Sequence, residues 1–204
     1  MEFLTLETLI STDRLANIIR FSETVKDLEG DCAEMGVFRG GSLELIAKLN
    51  PGKTVWGIDS FEGLPEPTEN DNYHKKGDFS ETSYEDLRGY FAIQHRNVNL
   101  LKGFSPNVFS NIHPHKKFCL VHIDVDLYQS VRDGIDYFWP RMVDGGVILF
   151  DDYGWQSTVG AKMAVDEFIE TLKTRFDLLE EPAPKHYEEI YCGLNSQKQF
   201  YIIK

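Results

Sequence analysis

Basic residues are scarce in this chain: 21 Lys and Arg stand against 33 Asp and Glu, a formal net charge of -12 over 204 residues. A protein that grips nucleic acid through its phosphates, or lies on an anionic membrane, needs clustered Lys and Arg, so both partners are set aside. Cysteine is scarcer still. Cys32, Cys119 and Cys192 are too few and too scattered for a disulfide framework or a zinc site, and the first two sit in apolar runs, which reads as reduced, structural thiols. No apolar run is long enough to span a bilayer, and Met1-Glu2-Phe3-Leu4 offers no basic region ahead of an apolar core, so a cytoplasmic location is expected. Repeats, low-complexity tracts and linkers are missing too, which leaves one domain over residues 1–204 as the expectation.

What is present is acid placed at the ends of apolar runs. Phe118-Cys119-Leu120-Val121 leads into His122-Ile123-Asp124-Val125-Asp126-Leu127-Tyr128, and Gly146-Val147-Ile148-Leu149-Phe150 leads into Asp151-Asp152-Tyr153. Such runs read as buried parallel strands. Adjacent strands of this kind bring their acids together at the edge where open α/β sheets hold ligands. Several carboxylates in one place need a cation, and because the candidate ligands are all oxygens a hard ion, magnesium, is favoured. His122 lies on the strand face of Asp124, but a lone His in an apolar run reads as a satisfied core residue and is left out of the metal set.

The rest of the chain alternates helices and strands. Residues 1–30 form a helical N-terminal lead, with Leu15, Ile18, Ile19, Phe21, Val25 and Leu28 at helical spacing and Ser11-Thr12-Asp13 as a cap. A strand over residues 31–36, a helix over 42–49 and a strand over 54–59 follow. Residues 60–83 show no periodicity and are expected to be a lid, with His74-Lys75-Lys76 as a solvated part of it. Then come a helix over 84–94, a strand over 98–101, the two acid-tipped strands with a helix over 130–138 between them, and a helix over 160–176. Leu178-Leu179 and residues 200–203 read as closing strands joined by a Pro-rich hairpin loop. Tyr128, Tyr153 and Trp155 stand beside the acids and read as packing aromatics or as pocket walls.

Two further motifs precede the acids. Glu34-Met35-Gly36-Val37-Phe38-Arg39-Gly40-Gly41-Ser42 is a glycine-punctuated strand-to-helix turn, where backbone without side chains lets a ligand approach, or a simple tight turn. It is not the dinucleotide fingerprint, since Phe38 stands where the second glycine belongs. Asp59, at the end of the second strand, reads either as an acceptor for ribose hydroxyls or as a loop or cap carboxylate.

Together with Asp59-Ser60-Phe61-Glu62-Gly63-Leu64-Pro65 and Gly145-Gly146-Val147-Ile148-Leu149-Phe150-Asp151-Asp152-Tyr153, these motifs resemble the macrocin-type sugar O-methyltransferases, enzymes dependent on S-adenosylmethionine. The resemblance runs from about Ser11 to about Ile169. It implies an α/β, three-layer, Rossmann-like class I methyltransferase fold whose seven-stranded, mostly parallel sheet has an antiparallel last strand. It puts the methionine end of S-adenosylmethionine near Glu34, Gly36 and Ser42 and the ribose on Asp59, and counts Gly40 of the same turn among the cofactor-binding residues. It draws Ser60, Phe61, Gly103, Ser105 and Asp124 into the cofactor site as well. Magnesium (Mg2+) would sit on Asp124, Asp151 and Asp152, Asp126 would be the general base, and the protein would be a homodimer. The acceptor would be a hydroxyl of a sugar or related glycan or secondary metabolite. Competing readings are a catechol or phenol acceptor, a non-catalytic S-adenosylmethionine-binding protein, and a nicotinamide oxidoreductase, the last disfavoured by the glycine spacing.

Overall fold

The computed structural model describes residues 4–179, 187–192 and 197–204, the side chains of 175–179, 187–192 and 197 excepted. Its elements run α1 (Thr12–Thr24), β1 (Asp31–Met35), α2 (Gly41–Leu49), β2 (Val55–Asp59), α3 (Tyr84–Gln94), β3 (Val98–Lys102), β4 (Phe118–Ile123), α4 (Tyr128–Phe138), β5 (Met142–Phe150), α5 (Val159–Leu179), β6 (Tyr187–Cys192) and β7 (Gln197–Ile203). Short 3-10 turns cover Asn107–Asn111 and Trp139–Arg141. The strands form one seven-stranded sheet in the order β3-β2-β1-β4-β5-β7-β6. The five strands from β3 to β5 are parallel, and β7 runs antiparallel between β5 and β6. Order and direction agree with the expected class I methyltransferase sheet.

β4 is central, and every residue from Phe118 to Ile123 is buried, as a parallel strand covered on both faces must be. Alternate residues feed two cores. Val121, Ile123, Ile148 and Phe150 pack with Val131, Ile135, Ala164 and Phe168 of α4 and α5. Leu120, Val147, Leu149 and Tyr201 pack on the other face with Leu15, Ile18, Leu43, Ile46 and Phe91 of α1, α2 and α3. Among the described residues no helix is long and apolar enough to cross a membrane.

Two expectations need correction. Leu178-Leu179 is not a strand: α5 continues through both, because two apolar residues are too short a run to override an established helical period. The Pro-rich segment 180–186 lies outside the described residues. The N-terminal lead becomes helical only at Thr12. Before it, residues 4–10 run as irregular chain across α2. The Gly41 amide donates to the Glu7 carbonyl at 3.0 Å, and a Cβ on Gly41 would stand 2.6 Å from that oxygen, so the approach requires glycine.

Glu44 secures this segment from beneath. Its buried carboxylate accepts the amides of Thr5 and Leu6 at 2.8 and 2.9 Å and the Tyr90 hydroxyl at 2.8 Å, and pairs with Lys48 at 2.7 Å. Burial alone raises this carboxyl. The Lys48 pair and the Leu6, Tyr90 and Thr5 donors outweigh it and hold the group down at about 2. A depressed carboxyl stabilises the fold above its unfolded pKa and loses that contribution as pH falls through the folded value. Glu44→Gln is therefore expected to cost roughly 2 to 3 kcal/mol at pH 7. In urea unfolding the difference from wild type should close as pH falls from about 4.5, the ordinary carboxyl range, to about 2.

Candidate active site

The parallel register aligns the strand tips. Met35, Ile123 and Phe150 are neighbours across β1, β4 and β5, so Gly36, Asp124 and Asp151 leave the sheet side by side. Backbone bonds join them: Asp124 N–H donates to Met35 O, Gly36 N–H to Ile58 O and Asp151 N–H to Ile123 O, each at 2.9 Å. Gly36, at φ 92°, sits where a Cβ would lie 1.8 Å from the Asp124 carbonyl oxygen. The glycine therefore lets the first turn close onto the acid-bearing one.

Asp124, Asp151 and Asp152 each bring a carboxylate oxygen within 4.8 Å of the others. Asp126 joins them with a left-handed backbone, φ 59°, held by its N–H donating to Asp152 Oδ2 at 2.8 Å. The protein's own cations reach one of these acids. His122 lies between Glu34 Oε1, 2.9 Å from Nδ1, and Asp151 Oδ1, 3.3 Å from Nε2. Burial would lower its pKa, but the carboxylates of Asp151 and Glu34 on its two nitrogens push it up to about 10, which favours the imidazolium. Arg14 pairs with Asp151 Oδ2, and Gln199 donates to Asp151 Oδ1 while accepting from Asn17. These partners lower the Asp151 carboxyl against its burial. Burial, with Asp151 and Asp152 as neighbours, pushes Asp124 and Asp126 well above the usual carboxylate range, and Asp152 rises to about 6. Three carboxyl groups are thus crowded together at the strand ends, and every candidate ligand among them is a carboxylate oxygen. A hard divalent cation fits that donor set.

A cavity of about 360 Å³ opens in front of the acids. Of the residues expected near a cofactor, Gly36, Ser42, Asp59, Ser60, Gly103, Ser105 and Asp124 line it, alongside Asp126 and Asp152. Glu34, Gly40, Phe61 and Asp151 do not. Glu34 is wholly buried behind the turn with His122 and Ser42 as partners. Gly40 faces Leu6, Leu87 and Phe91, and Phe61 packs on Tyr84 at 5.1 Å. Asp59 acts as a loop carboxylate while facing the cavity: Oδ2 accepts the amides of Val37 and Phe38 at 2.8 and 3.0 Å, and Oδ1 that of Phe61 at 2.7 Å. It thereby holds Phe38 and Phe61 at φ 45° and 53°, both left-handed. Ser105 donates to Asp133, and Ser60 to the Gly63 carbonyl.

Several cavity residues escaped the sequence reading. Glu7 to Ile10, Arg14, Phe79 and His74 all line it. Arg14 left a signal: it shares the buried face of α1 with Ile18 and Phe21, and a charge on an apolar stripe needs a buried partner. The His74-Lys75-Lys76 string gave no local signal, yet the His74 side chain is only 10% exposed and faces Asp126. Of the three aromatics beside the acids, Trp155 is a wall, under the Arg14 guanidinium at 5.1 Å. Tyr153 packs on Phe200 and donates to Asp166, and Tyr128 donates to Glu167, so these two serve the helices.

The sequence profile of the macrocin-O-methyltransferase family, TylF, matches residues 5–180. Demethyldecarbamoylnovobiocin O-methyltransferase of Streptomyces niveus is 31% identical over 195 residues, covering 85% of this chain and 70% of that protein. Mycinamicin III 3''-O-methyltransferase of Micromonospora griseorubida is 27% identical over 165 residues, covering 72% of this chain and 65% of that protein. Among solved structures, the O-methyltransferase NovP superposes with a TM-score of 0.73 at 26% identity over 97% of this chain and 81% of that one. With its sheet order, its strand-end acids and a profile match that spans most of its length, the chain belongs to the macrocin-O-methyltransferase family.

Proposed function

We propose that this chain methylates a hydroxyl of a sugar or sugar-bearing secondary metabolite, with magnesium on Asp124, Asp151 and Asp152 and with Asp126 as general base. As a family member it is an O-methyltransferase that draws its methyl group from S-adenosylmethionine. The observation that carries the finer reading is the convergence of the Asp124, Asp151 and Asp152 carboxylates within 4.8 Å of one another, with Asp124 and Asp152 lining the cavity beside Asp126 and Asp151 buried behind them. The two relatives named above carry O-methyltransferase names built on novobiocin and mycinamicin, which favours a glycosylated acceptor.

When bound, S-adenosylmethionine supplies a sulfonium-activated methyl group, and magnesium supplies the charge that acidifies and fixes the acceptor hydroxyl. The residues of the chain do the rest. The Gly36 turn and Ser42 line the part of the cavity assigned to the methionine end, and Asp59 and Ser60 the part assigned to the ribose. Leu64, Pro65 and Phe79 add apolar side chains to the cavity lining. As the acceptor oxygen takes the methyl, its proton passes to Asp126, which lines the cavity beside the three proposed metal ligands without being one of them. The same reading treats the 204 residues as one catalytic domain working as a homodimer on a small molecule, without nucleic acid or membrane.

EDTA should reduce methyl transfer to background and added magnesium should restore it; undiminished turnover in EDTA would overturn the metal assignment. Asp124→Ala should lose both calorimetric magnesium binding and turnover. Asp126→Asn should bind magnesium and S-adenosylhomocysteine as wild type does, while kcat falls about 100-fold or more. Deoxysugar glycosides compared with catechols as acceptors will separate the sugar reading from a phenolic one.

A further inference from the structure

The loop between β2 and α3 is docked on the acid edge. Asp71 Oδ1 accepts the N–H of Tyr128, the first residue of α4, at 2.9 Å, while Oδ2 accepts the amide and hydroxyl of Thr68, both at 2.8 Å. Asn72 donates to the Gln156 carbonyl at 3.3 Å, and Gly160 of α5 lies against Asp71 so closely that a Cβ there would sit 2.1 Å from Oδ1. The loop is thus tied to the first turns of two helices on either side of the acids.

Beyond this anchor, His74 turns its ring inward. Nε2 is 3.5 Å from Asp126 Oδ1 and Nδ1 is 3.5 Å from Asp78 Oδ2. Asp78 is itself held by the amide of Lys75, which donates to the same Oδ2 at 2.9 Å. Tyr73 and Phe79 border the ring at centroid distances of 5.1 and 5.6 Å. The ring is therefore flanked by two carboxylates at the same distance, Asp78 on the outer nitrogen and the carboxylate assigned as the base on the inner one. At 3.5 Å the inner contact is a small rotation short of a hydrogen bond. Catalytic contacts commonly have this length before substrate tightens them.

Asp126 needs such a partner. Its N–H bond to Asp152 Oδ2 fixes the backbone but not where the carboxylate points, and among the described residues His74 is the side chain whose nitrogen faces that carboxylate. We propose that His74, fixed by Asp78, is a positioning residue that holds the Asp126 carboxylate toward the acceptor, so that the base is complete only while the 60–83 loop is docked. The proposal rests on Asp126 being the general base. No covalent step is added: the proton taken from the acceptor still ends on Asp126, and the imidazole fixes where that carboxylate points.

The test uses the full chain with S-adenosylmethionine and the acceptor that wild type turns over in the glycoside and catechol panel. His74→Ala should lower kcat by about tenfold to a hundredfold, the range for loss of an orienting partner. KM for S-adenosylmethionine and calorimetric affinity for S-adenosylhomocysteine should stay within about twofold of wild type. His74→Gln, which keeps a donor on a chain of similar reach, should recover part of the loss, and Asp78→Asn should reproduce a fraction of it. Without any acceptor, nitrogen-15 spectra of histidine-labelled enzyme should show the His74 ring signals moving in both Asp78→Asn and Asp126→Asn. Wild-type kcat in His74→Ala overturns the proposal. So does a parallel loss of cofactor affinity, thermal stability and kcat, which would make His74 only loop packing. If Asp126→Asn turns over normally, the base assignment itself fails. An inactive Asp126→Asn beside a fully active His74→Ala removes the His74 role alone.

Discussion

Carboxylates held in the interior at the ends of β4 and β5 are the constraint around which the molecule is arranged. A buried carboxylate is tolerated only when paired and hydrogen-bonded, and the chain meets that demand for Asp151 from four separate elements. His122 comes from β4 itself, Arg14 and Asn17 from α1, Gln199 from β7, and Glu34 of β1 balances the imidazolium from its other side. Arg14 and Asn17 thereby tie α1, which packs on the sheet through apolar side chains, to Asp151 and to β7. The antiparallel insertion of β7 next to β5 is what lets Gln199 reach Asp151.

That pairing stops at Asp151, and the chemistry begins where it stops. Among the described residues no Lys, Arg or His pairs with Asp124 or Asp152, so their oxygens stay crowded at the cavity wall. The same crowding of carboxyl groups that makes the edge costly to fold suits it to a hard cation. Two irregular segments then enclose it. Residues 4–10 are pinned from beneath by Glu44, and the long loop is pinned at Asp71. Both supply residues to the cavity lining that are remote in sequence from the acids.

Much of the fold was legible because it follows from period and punctuation. The helix over 84–94 and the strands of the parallel core read correctly from the spacing of apolar residues and from Gly, Pro and Asn at their ends. Leu178-Leu179 was misread because a two-residue run carries no period. The acid triad was legible for the same reason as the strands: an apolar run that ends in carboxylates puts them at a sheet edge whatever else the chain does. His122 proved to be the satisfied core residue that its apolar surroundings suggested. Its two partners, however, come from neighbouring strands and have no local signature.

By itself, then, the amino-acid order determined which residues form the parallel core and which acids stand at its edge, since both depend on local spacing and on burial of short apolar runs. Only the tertiary structure decided which of those acids is neutralised from within, that Asp59 holds two strained turns as well as facing the cavity, and that His74 and Arg14 belong to the site. The reason is distance along the chain. Arg14 meets Asp151, and His74 meets Asp126, only after the sheet has been built between them. Such pairings depend on the placement of whole elements, which no short stretch of sequence encodes.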